Sequence, residues 1–272
     1  MKRLRAQKLL VTFDLDGVLI KNPFRDGVFP EVGEILKKQF IDIHGFTPPN
    51  LKKDIIHDIF NEFRENLKSN KPYLAYDWDR VIQKVASNMG CPGNIDIADL
   101  VKKYCKFPYI YAYKEVDKVL DWLKQRKDCR LAVITNGYYI YQYPVLKTLG
   151  LDKYFEEIIV PEIIKNVKPG RDMFLKVYKN DDIWYHIGDS LLQDVYGANR
   201  IGIKSIWIQR DMPKGLTKLN PSERIKSKEG YMFFKGKLDK ELQLKDIKSN
   251  DKEIMPEYII SSLQELKKVI IN

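Results

Sequence analysis

The sequence predicts an α/β protein, with a Rossmann-like, doubly wound parallel sheet as its core and an inserted α-helical cap domain. Three observations carry this reading. Short Val- and Ile-rich runs recur along the chain and end at polar residues or glycine, as strands buried on both faces do. Helical patterns alternate with them, the signature of parallel strands joined by crossover helices. One connection, however, is helical throughout and far too long to be a loop.

The strand runs are Leu9–Leu15, Leu131–Thr135, Ile183–Gly188 and Ser205–Gln209, with weaker ones at Glu157–Pro161 and Glu257–Ile260. Between them, 113–126 places Val116, Val119, Leu120 and Leu123 on one helical face, and helices follow at Tyr139–Leu149, Arg171–Tyr178 and Leu192–Arg200. Ser261–Ile270 reads as a terminal helix closing the core. From residue 22 to 108 only helical periodicity is present, at Val32–His44, Leu51–Leu67, Leu74–Met89 and Ile95–Tyr104. Pro48-Pro49, Lys71-Pro72 and Cys91-Pro92-Gly93 break these segments apart. The expected organisation is a core built from 1–21 and 109–272, with 22–108 as the cap. Within the core, 214–252 is a basic insertion holding eleven Lys/Arg against six Asp/Glu, read as a solvated excursion.

Bulk properties narrow the classes. At 272 residues, a core domain plus a smaller one can be accommodated, and 44% hydrophobic residues excludes wholesale disorder. Three scattered cysteines make neither a disulfide framework nor a zinc site, and a reducing, cytoplasmic compartment is expected. No window has the length and apolarity of a membrane span. The basic, then apolar N-terminus is interrupted by Asp14 and Asp16, so it reads as a first strand and not as a signal. The net charge of +10 is spread among many acids, which favours a lysine-rich soluble surface over a nucleic-acid footprint and would attract a small anionic substrate.

In parallel α/β sheets, ligands bind at the carboxyl ends of the strands. That edge is loaded here: Asp14-Leu15-Asp16-Gly17-Val18 ends the first strand, Thr135-Asn136-Gly137 the second, and Gly188-Asp189-Ser190 a third, with Asp194 one helical turn on. Asp14 and Asp16, two apart on an extended segment, share a face, and two carboxylates so close call for a cation or a shared proton. A hard divalent ion such as Mg²⁺ suits them, with Asp189 as a further ligand. Lys168, in the Lys168-Pro169 loop, would neutralise remaining charge, and the Thr135 hydroxyl would hold phosphoryl oxygens.

These four segments, in this order, resemble the motifs of the haloacid dehalogenase superfamily. Smaller echoes are Gln142, Leu149-Gly150-Leu151 and Pro256-Glu257-Tyr258. The resemblance implies a Mg²⁺-dependent phosphatase acting on a small phosphate monoester. Asp14 would be the nucleophile that forms an aspartyl-phosphate, and Asp16 the general acid/base. Asp14, the main-chain carbonyl of Asp16 and Asp189 would hold the metal, with Asp194 a ligand through water or a neighbour bracing the site. Thr135, Asn136 and Lys168 would cradle the phosphoryl group. The acid at position 16 separates phosphoryl transfer from halide chemistry, because the superfamily's haloalkanoate dehalogenases need no proton donor there. The helical insertion resembles the small helical cap of one subclass, and Arg25, where the chain enters it, is a candidate substrate contact. Other readings are a phosphomutase or pyrophosphatase on the same core, or, in a different class, a nucleic-acid-binding module using 214–252. His186 reads as a packed core histidine, and the tyrosines 138, 139, 141 and 143 chiefly as helix packing.

Overall fold

Leu9–Phe13 (β1) is buried at every position, which only a strand covered on both faces and flanked on both edges can be. The computed structural model describes residues 8–181, 183–243 and 251–270. Shortly after β1, Ile20–Lys21 (β2) pairs antiparallel with Tyr111–Ala112 (β3), in register Ile20 to Ala112 and Lys21 to Tyr111. The other strands are Cys129–Ile134 (β4), Glu157–Ile159 (β5), Ile183–Gly188 (β6), Lys204–Ile208 (β7) and Tyr258–Ile260 (β8). With β1 they form a six-stranded parallel sheet in the order β5-β4-β1-β6-β7-β8. This is the doubly wound arrangement, in which the chain builds outward from β1 to one edge and then returns to build toward the other. Phe13 lies opposite Val133 on one side and Ile187 on the other, so the ends of β4, β1 and β6 are level.

The helical stretch between β2 and β3 opens with one wide π-helical turn, Phe24–Val28, and continues as Phe29–His44 (α1), Leu51–Lys68 (α2), Trp78–Asn88 (α3) and Ile97–Tyr104 (α4). The helix expected over 74–89 is two pieces. Pro72–Tyr76 forms a 3₁₀ turn, and the Asp77 carboxylate then caps α3 by accepting from the Arg80 N–H at 3.2 Å. One apolar cluster runs from the sheet, through Val11 and Phe13, into these helices at Val32, Leu36, Ile55 and Val81. Each such fully buried aliphatic or aromatic side chain contributes about 1.5–3 kcal/mol relative to exposure. Beyond β3, Val116–Lys124 (α5) and Tyr139–Thr148 (α6) follow as expected, α5 burying Val116, Val119, Leu120 and Leu123.

The basic segment departs from the excursion expected of it. Its described residues are mainly helical, at Lys214–Thr217, Pro221–Arg224, Lys228–Leu242 and Asp251–Ile254, while 244–250 lies outside the described residues. Phe234, Leu238 and Ile254 are buried in a second apolar cluster with Trp207 of β7 and Leu191. Arg224 is fully buried, its guanidinium donating to the Ile259 carbonyl at 2.8 Å and to both Glu265 carboxylate oxygens at 2.6 and 2.8 Å. Lys235 and Lys237 are paired with Asp251 and Asp211, each at 2.8 Å. The expected terminal helix is shorter, a 3₁₀ turn at Leu263–Glu265 followed by Leu266–Val269. Among the described residues, no helix is long and apolar enough to cross a membrane.

Candidate active site

Asp14 is the first residue past β1, and its N–H still donates to the Ile187 carbonyl at 2.9 Å, so the sheet's own hydrogen bonding aims the residue out of the carboxyl edge. Asp189 follows β6 directly, and Thr135 follows β4, its N–H donating to the Ile159 carbonyl at 3.1 Å. The three strand ends therefore deliver their side chains to one point. Ligand oxygens of Asp14, Asp189 and Asp194 lie within 4.8 Å of one another. The Asp16 carboxylate stands outside this group of three, so only its main-chain carbonyl is left for the metal role that the sequence assigned it.

Among the described residues, a single buried cation faces these acids. The Lys168 ammonium lies 2.8 Å from Asp14 and 2.6 Å from Asp194. Burial alone would push Lys168 down, but the charges of Asp14 and Asp194 more than reverse it and hold the ammonium above its ordinary value. Asp194 is wholly buried and its oxygens are engaged: Oδ1 with Lys168 and with His186 Nε2 at 3.1 Å, Oδ2 with the Ser190 N–H at 3.1 Å. Burial opposes its ionisation, yet Lys168 and His186 overcome this and hold it well below the usual carboxylate range. His186 is pulled down by burial and stays neutral. Because an ionised carboxylate only accepts, Nε2 carries the imidazole proton and Nδ1 accepts from the Thr12 hydroxyl, 2.9 Å away. This histidine, packed against Phe174, orients Asp194.

At Asp14 and Asp189 the compensation is incomplete. Burial pushes both carboxyls up; Lys168 partly offsets this at Asp14, whereas at Asp189 the charges of Asp14 and Asp194 add to it. Four buried or half-buried carboxylates around one ammonium is an acidic excess, and all the donors are hard oxygens. Both facts fit a hard divalent cation held by Asp14 and Asp189. Two glycines make the packing possible. A Cβ on Gly17, which also has φ +81°, would collide with the Asp189 carboxylate, and one on Gly188 would collide with Asp194.

Asp16 points into the same cavity with a different environment. Its Oδ2 accepts from Gln142 Nε2 at 3.0 Å, while Oδ1 is buried with no partner among the described residues. Burial and the neighbouring Asp14 charge push its pKa up to about 6, against the pull of hydrogen bonds from Asn22 and Gln142. Gln142 sits on α6 and is held close by Gly137, whose missing side chain leaves room for it. The Thr135 hydroxyl accepts from the Gly137 N–H at 3.1 Å and faces the cavity.

The Asn136 side chain is committed inside the protein, in place of the phosphate contact read from the sequence. Its Oδ1 accepts from the Lys168 N–H at 2.7 Å, and its Nδ2 donates to Gln193 and to the Tyr76 hydroxyl at 3.2 and 3.3 Å. It fixes the loop that carries Lys168. Arg25 stands at the mouth of the cavity, its side chain 92% exposed and 3.8 Å from Asp26. Asn22 and Tyr76 belong to the site without having been legible in sequence, since both lie outside the four motifs, and Gln193 lies within one of them at a position the sequence did not single out.

The cavity above this floor has a volume of about 830 Å³ and extends up into the helical block, to Phe29, Lys52, Phe60 and Trp78. Parallel sheet, switch point and acidic floor together put the site where doubly wound α/β enzymes carry their chemistry, at the carboxyl edge. The sequence model described as "Haloacid dehalogenase-like hydrolase" matches residues 46–208, more than half of the chain, and the protein belongs to this family. Its relatives include a glyceraldehyde 3-phosphate phosphatase of Pyrococcus abyssi, 31% identical over 204 residues, which cover 74% of this chain and 81% of that protein. A glyceraldehyde 3-phosphate phosphatase of Pyrococcus furiosus is 24% identical over 216 residues, 77% of this chain and 82% of that one. Among solved structures, the HAD phosphatase from Thermococcus onnurineus superposes with a TM-score of 0.64 at 21% identity, covering 96% of this chain and 97% of that one, and so shares the fold.

Proposed function

We propose that this HAD-type phosphohydrolase is a Mg²⁺-dependent phosphatase that hydrolyses a small phosphate monoester through an aspartyl-phosphate on Asp14. The observation that carries the reading is the juxtaposition of Asp14, Asp189 and Asp194 with the buried ammonium of Lys168, directly beneath a cavity into which Asp16 also points. When bound, Mg²⁺ would be held by Asp14, the main-chain carbonyl of Asp16 and Asp189, and would supply positive charge to the phosphoryl oxygens.

An Asp14 oxygen attacks phosphorus in line with the ester oxygen, forming one O–P bond as the other breaks. Lys168 and the Thr135 hydroxyl hold the equatorial oxygens as their charge redistributes. Asp16 gives its proton to the departing alkoxide, and its burial favours the protonated form that a general acid needs. Once product alcohol has left, the same carboxylate takes a proton from a water molecule, which attacks the aspartyl-phosphate and releases inorganic phosphate. The helical block at 22–108 serves as the cap, its stem being the β2–β3 ribbon, and excludes bulk water from these steps.

Hydrolysis of aryl and alkyl phosphates is expected to require Mg²⁺ and to stop with chelator. Asp14→Asn should lower kcat by roughly 10³-fold or more while leaving the far-ultraviolet dichroism intact. Undiminished turnover in that variant would rule out Asp14 as the nucleophile.

A further inference from the structure

We propose that the cavity over Asp14 accepts phosphate monoesters whose alcohol part carries a flat aromatic body, and selects them over short aliphatic phosphates such as the trioses. This deepens the phosphatase reading and rests on it.

The cavity has two chemically different halves. Its floor is polar and phosphate-sized, formed by Asp14, Asp16, Thr135 and Asp189. Its upper half is walled by six aromatic rings, Phe24, Phe29, Phe60, Tyr76, Trp78 and Tyr141, each brought in by a different element. These rings brace one another. Trp78 meets Phe29 edge-on with centroids 4.9 Å apart, Phe29 meets Phe60 at 5.3 Å, and Phe24 meets Tyr141 edge-on at 5.8 Å. Trp78 is also stacked on Phe63 at 5.3 Å, which fixes its plane. The box is therefore pre-formed and needs little ordering on binding.

The polar tips of its two tyrosines are already engaged. Tyr141 donates its hydroxyl proton to Asp79 at 2.6 Å, and the Tyr76 oxygen accepts from Asn136 at 3.3 Å. What they present to a ligand is ring surface. On α2, the spacing of Lys52, Ile56 and Phe60 puts one ammonium, one aliphatic and one aromatic side chain along a single cavity-facing stripe, and the Lys52 ammonium is taken by Glu34 at 2.6 Å. A triose phosphate would leave this wall uncovered, with its hydroxyl and carbonyl oxygens against ring faces that cannot bond them, a loss for both sides. A planar aromatic body tethered to the phosphate covers the wall and gains edge or face contacts with rings already in place. The volume of about 830 Å³ lies within the range of pockets that enclose molecules of that size.

The test uses the full-length enzyme with Mg²⁺ and a panel at equal concentration: nucleoside 5′-monophosphates, flavin mononucleotide and pyridoxal 5′-phosphate against glyceraldehyde 3-phosphate and glycerol 3-phosphate. At least one aromatic ester should exceed both aliphatic ones in kcat/KM by tenfold or more, mainly through KM, and the panel shows which aromatic body fits. Phe60→Ser should shrink that ratio at least fivefold. Equilibrium binding of the matching phosphonates, in which carbon replaces the ester oxygen, reads the preference without turnover, so it stands even where the nucleophile assignment fails. Equal or better kcat/KM for the trioses, together with equal binding of both kinds of phosphonate, overturns the proposal.

Discussion

Asp14 and Asp16 are the same residue type two positions apart, and the structure makes them chemically unlike. Asp14 faces Lys168 at 2.8 Å, whereas Asp16 faces Gln142 and carries a buried oxygen with no partner among the described residues. Asp16→Asn is expected to lower kcat about 10²–10⁴-fold for alkyl phosphates, the usual scale of general-acid catalysis. For an aryl phosphate with an acidic phenol, which departs without a proton, the first step should be far less affected and a burst of phenol should appear. Equal losses for both leaving groups would remove Asp16 from the role of acid. At this scale the sequence carried a good deal, because two acids at a strand end are chemically conspicuous. The bracing roles were hidden for the opposite reason: Asn136 and Gln193 act through contacts across the fold, and an amide in a turn has many uses.

Among the elements, the helix Lys228–Leu242 holds the most unexpected position. Its Glu241 carboxylate accepts from the Ser190 hydroxyl at 2.7 Å and from the N–H groups of Leu191 and Leu192 at 2.8 and 3.0 Å. The turn so capped lies between Asp189 and Asp194. Glu241→Ala should leave three donors without their acceptor and loosen that turn, raising the Mg²⁺ concentration for half-maximal activity about tenfold, a typical effect of losing a residue that supports a metal ligand. Glu241→Asp, which keeps the charge but shortens the reach, should recover part of it. A metal dependence unchanged in both variants would confine Glu241 to packing. This helix was illegible in sequence because its apolar positions, Phe234 and Leu238 among them, are few and surrounded by lysine. The strands were legible because burial on both faces leaves an unbroken Val/Ile text, as in β1 and β6.

Across the whole molecule, Arg224 and Glu265 join the basic segment to the end of the chain. Burial raises the Glu265 carboxyl, but the Arg224 guanidinium and the Ser261 N–H more than reverse this and leave it below its ordinary value. A carboxyl depressed in the folded state contributes stability above its unfolded pKa and loses it as pH falls through the folded value. Glu265→Gln should therefore destabilise at neutral pH by about 3 kcal/mol, since it leaves the fully buried Arg224 unpaired. That difference should be constant above about pH 5 and narrow toward pH 3. Denaturant melts of both proteins across that range would measure it; a gap independent of pH would exclude the ion pair as its source.

The central place of β1 also governs the order in which the molecule can come into being. Both its partners, β4 and β6, lie beyond Cys129, with the whole helical block encoded in between. A ribosome working at about 5–20 residues per second therefore holds this apolar strand unpartnered for on the order of ten seconds. Meanwhile α1 to α4, rich in local contacts, emerge and can collapse upon one another. Asp14, the proposed nucleophile, is made before Lys168, Asp189 and Asp194, and Glu241, which caps the turn between the last two, follows all of them. The site is thus fully braced only once the helix Lys228–Leu242 has been made.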